Sequence, residues 1–189
     1  MSGPIVVYDA CVLFSAQLRD LMMHLALAGL CSAHWTDEIL DEWTRSVTAK
    51  HAGVSPESVA RCRAFMNSHI GDALVVGYEY RTPTLTLPDP DDRHVLAAAI
   101  HGRATAIVTF NLKDFPDEIL STYGIEAIHP DEFVVRLLMS RPTEVVDAIR
   151  TQRLQLTRPP VDVEAFLTRL ERRGLPRTVT LLGQFADQL

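Results

Sequence analysis

The chain has 189 residues, of which 47% are hydrophobic and 22% charged, with a formal net charge of −6. This composition excludes a disordered chain, and the length suits one domain with a sizeable core and a small appendage. The net charge argues against nucleic-acid binding by bulk electrostatics, yet it allows an acidic metal site beside a few local basic residues. Residues 1–129 carry 9 basic and 16 acidic side chains, a net of −7, whereas residues 130–189 carry 9 and 8, a net of +1.

The cysteine count and the N-terminus indicate a reducing compartment. Cys11, Cys31 and Cys62 are odd in number and form no CxxC pair, so neither a disulfide framework nor a zinc site is predicted. The N-terminus runs directly into an apolar strand without a signal-type segment. No apolar run approaches the roughly 18 residues that cross a bilayer. We therefore expect a cytoplasmic protein that is not in a membrane.

The first two thirds of the chain alternate between strand and helix patterns. Short β-branched or apolar runs predict strands, and stripes of apolar residues with capping residues before them predict helices. The predicted strands are residues 4–9, 31–35, 73–76, 104–109 and 125–128, with 78–86 strand-like or extended; the predicted helices are residues 15–29, 37–50, 56–69, 91–102 and 116–123. This alternation predicts an α/β sandwich with a mostly parallel central sheet.

The last sixty residues are all helical in pattern. Proline or aspartate opens each of four segments, at residues 130–140, 142–156, 162–173 and 176–189. We therefore divide the chain into an α/β domain, residues 1–129, and a helical extension, residues 130–189. Arginines of the extension could contact phosphate or a partner, or they could form a solvated face packed on the core.

Acidic residues occur at several predicted element ends. Asp9 ends the first strand, where ligands bind in open α/β sheets, although it could simply cap the next turn. Glu42 lies at the edge of the buried face of its helix and could instead be a solvated glutamate. Asn111 and Asp114 come after a later strand, and Asp114 could cap the next helix.

The densest acidic cluster comprises Asp89, Asp91 and Asp92, immediately before an alanine-rich helix. Close carboxylates near a core repel one another, and a cation compensates this cost. Carboxylates without histidine or thiol partners favour Mg²⁺ or Mn²⁺. Such an ion activates water and stabilises a leaving oxygen, so the pattern predicts metal-assisted phosphodiester hydrolysis.

Four stretches of the chain, residues 8–16, 39–43, 89–99 and 108–115, resemble in order the motifs of PIN-domain ribonucleases, and most of all those of VapC-type toxins of bacterial toxin–antitoxin pairs. The resemblance implies a three-layer α/β/α sandwich with a five-stranded parallel sheet. It also implies an Mg²⁺ or Mn²⁺ site, endonucleolytic cleavage of RNA, a homodimer and inhibition by a cognate antitoxin. The helical extension is similar to one found in a subset of VapC-like proteins.

The same resemblance assigns roles to individual residues. Asp9, Glu42 and Asp92 match the first three acids of the family, and Asn111 stands where many members have the fourth. An amide offers a ligand oxygen without charge, so Asp114 is the alternative fourth acid. The implied catalytic residues are Asp9, Glu42, Asp92, Asn111 and Asp114; the implied metal ligands are Asp9, Glu42, Asp92 and Asp114; Ser15 and Arg93 are expected to contact substrate.

Two other functions remain open. A phosphotransfer receiver or phosphatase has a similar layout, but a phosphatase needs an acid where Cys11 stands, and a receiver needs acids where Val6 and Val7 stand. A non-catalytic binding module with a degenerate site is the second alternative, and Asn111 is its support. His94, beside the acidic cluster, could contact substrate, although a structural role is favoured.

Overall fold

The structure is a computed structural model that describes residues 3–51 and 53–189. The strands are β1 (Ile5–Tyr8), β2 (Ser32–His34), β3 (Ala106–Val108) and β4 (Glu126–Ile128). The helices are α1 (Ala10–Phe14), α2 (Ala16–Leu27), α3 (Asp37–Lys50), α4 (Pro56–His69), α5 (Arg93–His101), α6 (Asp117–Leu120), α7 (Pro130–Ser140), α8 (Pro142–Gln155), α9 (Val163–Glu171) and α10 (Pro176–Leu182). No helix in the described ranges is both long and apolar enough to cross a membrane.

All four strands form one parallel sheet with the order β2-β1-β3-β4. Val7 of β1 pairs with His34 of β2 on one side and with Ile107 of β3 on the other. Consecutive strand residues point to opposite faces, and Val6, Val7 and Tyr8 are all fully buried, so helices cover both faces of the sheet. The predicted α/β sandwich with a parallel sheet is therefore confirmed.

A fifth strand is not present among the described residues. In the predicted strand 73–76, only Leu74 makes a parallel bridge, to Trp35 beyond the end of β2. The segment 78–86, predicted as strand-like or extended, instead contains a 3₁₀ helix, Glu79–Thr84. Gly77 adopts a φ of 78°, which turns the chain away from the sheet, and Pro83 has no N–H to donate to a ladder.

Capping side chains start the helices where the sequence predicted. The hydroxyls of Ser15, Thr36 and Ser55 accept hydrogen bonds from the backbone three residues on, at the starts of α2, α3 and α4. The helix α1 was not predicted, because its five mostly apolar residues show no helical periodicity. The carboxylate of Asp9 accepts a hydrogen bond from the first N–H of α1 and so begins it.

The helical extension packs on the α/β part through α8. The amide of Gln152 on α8 donates to the carbonyl of Gln17 on α2 at 2.9 Å. Arg141, just before α8, donates to the carbonyl of Gly29 at 3.1 Å. Apolar side chains from both parts belong to one buried core, among them Leu21 of α2 and Ile149 of α8. The extension therefore completes the core and is not a loose appendage.

Candidate active site

Asp9 is fixed at the carboxyl end of β1 by donors to both of its oxygens. One oxygen accepts from the N–H of Ala10 at 2.7 Å. The other accepts from the hydroxyl of Thr109 at 2.6 Å and from the thiol of Cys11 at 3.0 Å. The residue is only 4% exposed. The carboxylate therefore has one fixed orientation at the edge of the sheet.

Thr109 connects the ends of two adjacent strands. It comes directly after β3, and its hydroxyl donates to Asp9 while it accepts from the N–H of Asn111 at 2.9 Å. This residue was not predicted from the sequence as part of the site. The sequence could have predicted it, because a hydroxyl directly after a buried strand lies at the edge of the sheet where Asp9 was expected.

The carboxylates of Asp89, Asp92 and Asp114 form a group of potential metal ligands in the described chain, each with an oxygen within 4.8 Å of the other two. Asp89 precedes a 3₁₀ helix, Pro90–Asp92, and Asp92 directly precedes α5. Two oxygens on one Mg²⁺ lie at most about 4.2 Å apart, because each bond is about 2.1 Å long. Three oxygens in one octahedral shell include cis pairs about 3.0 Å apart, so the side chains must move toward one another by up to about 2 Å to share one ion.

The charges around Asp92 show that the separated acids converge. Burial is the largest of the causes that raise the pKa of Asp92 from 3.8 to about 7. The carboxylates of Asp9, Asp89, Asp114 and Glu42 contribute the rest, in that order of size. Each of these acids therefore lies close enough to disfavour a charge on Asp92. A divalent cation among them would remove this repulsion.

Glu42 lies on α3 at the rim of the cluster, with 42% of its side chain exposed. Its carboxylate is 3.7 Å from Nε2 of His94, whose Nδ1 is 3.8 Å from the carboxylate of Glu38. His94 is only 6% exposed and lies between α3 and α5. This burial favours a structural role for His94, the role that the sequence also favoured.

Asn111 and Asp114 both lie in the cluster. The amide of Asn111 donates to the carboxylate of Asp114 and, at 3.5 Å, to that of Asp92. Asp114 is 15% exposed at its side chain, and none of the helices in the described ranges uses it as an N-cap. The capping alternative for Asp114 is therefore not supported.

A groove of about 590 Å³, which we call the acidic groove, is lined by Glu42, Asp92 and Asn111 of the cluster. Its charged lining comprises Glu38, Glu42, Arg45, Asp89, Asp91, Asp92 and His94. Glu38 and Arg45 were not predicted, although they stand four residues before and three after Glu42 and so share its helix face. Arg45 is the one arginine or lysine among the described lining residues.

The two expected substrate contacts lie elsewhere. Ser15 caps α2 through its hydroxyl and lines a different groove. Arg93 donates from Nε to the carbonyl of Pro90 at 2.9 Å and is not among the residues described as lining the acidic groove. The structure therefore brings together Asp9, Glu42, Asp92, Asn111 and Asp114, but not Ser15 and Arg93.

The donor set fits a hard divalent cation. The three grouped potential ligands, Asp89, Asp92 and Asp114, are all carboxylates, which suit Mg²⁺ or Mn²⁺. Burial first, and then the neighbouring charge of Asp9, raise the pKa of the Cys11 thiol to about 12. This thiol is therefore protonated in the metal-free protein and donates to Asp9.

The comparisons with known proteins identify two regions of the chain. The PIN domain family matches residues 5–113, and a family described as the VapC50 C-terminal domain matches residues 130–184. The chain is similar to a protein named "Putative ribonuclease VapC50" from Mycobacterium tuberculosis (strain ATCC 25618 / H37Rv), with 61% identity over 44 residues. That stretch covers 23% of this chain and 26% of the relative, so the chain aligns with about a quarter of the relative's length. No solved structure matches the chain.

The residues of the PIN match include β1, α3 and α5 and reach Lys113, one residue short of Asp114. They cover more than half of the chain and contain the carboxyl ends of β1 and β3, where the acids converge. The chain therefore belongs to the PIN domain family, as its motifs predicted.

Proposed function

We propose that this protein is an Mg²⁺- or Mn²⁺-dependent endoribonuclease and the toxin of a type II toxin–antitoxin pair. The observation that carries the proposal is the convergence of Asp9, Glu42, Asp92 and Asp114 from four separate segments around one site. The PIN family match and the name of the Mycobacterium tuberculosis relative support the ribonuclease assignment.

Residues of the chain would bind the ion and orient the carboxylates around it. Asp92 and Asp114, with Asp89, would hold the ion, since their oxygens lie within 4.8 Å of one another. Asp9 and Glu42 would complete the charge around it. Thr109 positions Asp9 through its hydroxyl. When bound, the ion supplies Lewis-acid chemistry, polarising the phosphodiester and lowering the pKa of an attacking water.

The direct test is Asp9→Asn. The amide oxygen can still accept from Ala10, so α1 keeps its cap, but the negative charge is lost. We expect RNA cleavage with added Mg²⁺ or Mn²⁺ to fall by more than about 100-fold, beyond the loss that outer-shell changes cause. Growth arrest on expression should disappear with it. Asp20→Asn on α2 is the control with the same charge change.

Retention of cleavage by Asp9→Asn, with the fold verified by circular dichroism, would reject the mechanism. Cleavage by the wild type in excess EDTA would reject the dependence on a metal. A variant that loses cleavage together with its fold decides nothing about Asp9, so Glu42→Gln at the exposed rim serves as the second variant, with the same expected loss.

We make three further proposals, on the partners of the protein, its domain division and its cellular location. We propose a homodimer held inactive by a cognate antitoxin, supported by the resemblance to VapC-type proteins. The division into a nuclease domain, residues 1–129, and an extension, residues 130–189, is supported by the two family matches on either side of it. A cytoplasmic location is supported by the free state of Cys11, Cys31 and Cys62.

The PIN match favours a nuclease over a phosphotransfer receiver or phosphatase. The alternative of a non-catalytic binding module is still supported by one observation, the amide of Asn111 in place of a fourth acid. Calorimetric titration with Mn²⁺ separates it from the nuclease. The nuclease predicts binding at millimolar Mn²⁺ or below, and an inert module predicts none.

A further inference from the structure

A second groove, which we call the basic groove, lies at the far end of α1 from Asp9. It has a volume of about 390 Å³, and both the α/β part and the extension contribute to it. Its lining includes aromatic, basic and hydroxyl-bearing side chains: Phe14, Ser15, Arg19, Trp43, His51 and Arg173.

The charge of the basic groove is opposite to that of the acidic groove. None of its described lining residues is acidic, although the chain as a whole carries a net charge of −6. Arg19 and Arg173 make no salt bridge with any carboxylate in the part of the chain that the structure describes. Two uncompensated guanidinium groups in one groove favour an anionic occupant.

Aromatic faces stand beside these cations. The rings of Phe14 and His51 stack with centroids 5.5 Å apart, and Lys50 Nζ lies 5.0 Å from the Phe14 centroid. The Arg19 guanidinium lies 4.8 Å from the ring centre of Trp43. Trp43 is buried and holds the Arg19 guanidinium, whereas the ring of Phe14 is partly exposed beside these cations. Single-stranded nucleic acids bind such surfaces, since bases stack on an aromatic ring and phosphates pair with the charges.

The basic groove also contains a buried donor without a partner. Trp43 is 1% exposed, and its Nε1 makes no hydrogen bond to any described residue. A buried indole N–H usually has an acceptor. The Nε1 atom is itself covered, so Trp43 contributes to the basic groove through its ring contact with Arg19.

The two grooves are neighbours. Phe14, which lines the basic groove, comes five residues after Asp9 at the end of α1, a helical rise of about 7.5 Å. On the opposite wall, Gly174 packs so closely on Phe110 that an added Cβ would lie 3.0 Å from Phe110 Cε1. Phe110 comes directly after Thr109, and Arg173 directly precedes Gly174. The turn after α9 therefore lies beside both the acidic site and the basic groove.

From this arrangement we infer that the basic groove binds the single-stranded RNA on one side of the scissile phosphodiester, with Arg173 of the extension as a phosphate contact. The inference rests on the proposed ribonuclease function and deepens it. It gives the helical extension a role in holding substrate. It also gives Ser15 a place at the substrate, because Ser15 lines this groove.

The test measures RNA binding separately from cleavage. Fluorescence anisotropy with a labelled single-stranded RNA oligonucleotide, in EDTA, compares the wild type with Arg173→Ala. We expect binding to weaken by about 5- to 10-fold, with a salt-dependence slope smaller by about 0.7, the value for one phosphate contact to a single strand. Arg150→Ala is the matched control, because Arg150 is an exposed arginine of the same extension that lines a different groove.

The kinetic comparison uses the same variants with Mg²⁺. Arg173→Ala should raise KM by a similar factor and leave kcat within about twofold, and Arg173→Lys should restore part of the loss, because it keeps the charge. A general loss of stability would lower the activity of both substitutions alike.

Equal RNA binding by wild type, Arg173→Ala and Arg150→Ala overturns the inference, even if the protein cleaves RNA. Equal weakening by both alanine variants also overturns it, because the effect is then bulk charge. Weaker binding by Arg173→Ala alone supports it, and this holds even if the wild type fails to cleave, in which case only the proposed activity is rejected.

Discussion

At the scale of single residues, the site is a set of charges that oppose one another. Burial and four neighbouring carboxylates raise the pKa of Asp92 to about 7. Hydrogen bonds fix the orientation of Asp9, and the amide of Asn111 relieves part of the repulsion between Asp92 and Asp114. The carboxylates therefore repel one another in a way that a divalent cation would relieve.

Asp92→Asn should consequently stabilise the metal-free protein and at the same time weaken its binding of metal. Without metal, the variant should melt at a temperature about 2–4 °C higher, which corresponds to about 1 kcal/mol for a chain of this size. Millimolar Mg²⁺ should raise the Tm of the wild type, because a ligand that binds the native state stabilises it, but not that of the variant. Thermal unfolding by differential scanning fluorimetry measures both effects.

Asp91→Asn is the matched control for this experiment, because Asp91 is exposed and does not contribute to the raised pKa of Asp92. It should keep the stabilisation by Mg²⁺. An Asp92→Asn variant that Mg²⁺ still stabilises as much as the wild type would contradict the assignment of Asp92 as a ligand.

At the scale of elements, the site depends on the residue that stands directly after each strand. Parallel strands present their carboxyl ends at one edge, so Asp9 after β1 and Thr109 after β3 meet there without a long loop. The helix α5 brings Asp92 to the same edge. Its Ala97, Ala98 and Ala99 are fully buried, and these small side chains allow α5 to lie close against β1 and β3.

The extension uses a buried carboxylate to hold its last helix. Asp131 of α7 accepts from the N–H groups of Arg177 and Thr178, at 3.0 and 2.8 Å, and from the Thr178 hydroxyl at 2.7 Å. It is 4% exposed and serves the start of α10, which has no side-chain cap of its own. The contact therefore fixes α10 against α7.

Asp131→Ala should release α10. Three donors, two of them buried, lose their acceptor, so we expect the free energy of unfolding to fall by about 2–3 kcal/mol. Hydrogen exchange read by mass spectrometry should quicken most in α10. The control, Asp162→Ala, removes the exposed N-cap of α9 and should cost about 1 kcal/mol. Unchanged exchange in α10 would show that Asp131 does not hold it.

At the scale of the whole molecule, one core runs through both parts, while opposite charges collect in two grooves. The acidic groove concentrates carboxylates, and the basic groove concentrates uncompensated arginines. A net charge of −6 conceals this separation. The extension contributes Arg173 to the basic groove and Ile149 to the shared core.

A shared core predicts a single cooperative unfolding transition. Trp35 and Trp43 are buried and report on the α/β part, whereas far-ultraviolet circular dichroism reports on all helices, including α7 to α10. The two signals should give coincident midpoints and slopes in urea, as two-state unfolding requires. A circular dichroism change that precedes the fluorescence change would show that the extension unfolds by itself.

The sequence determined the local features, because these depend on nearby residues. Caps at Ser15, Thr36 and Ser55 set the helix starts, and the apolar runs set the parallel strands. The acids at element ends and their motifs predicted the family and which side chains converge. The predicted strand 73–76, which forms only one bridge in the described structure, and the unpredicted α1 show where local pattern fails, since pairing and packing partners decide short segments.

The tertiary structure alone decided the features that depend on distances between remote segments. It grouped Asp89 with Asp92 and Asp114, connected Thr109 to Asp9, and put Glu38 and Arg45 in the acidic groove. It also placed Arg173 in the same groove as Phe14, more than 150 residues away along the chain. No spacing in a sequence encodes such a contact, because it arises only when the extension packs on the α/β part and completes its core.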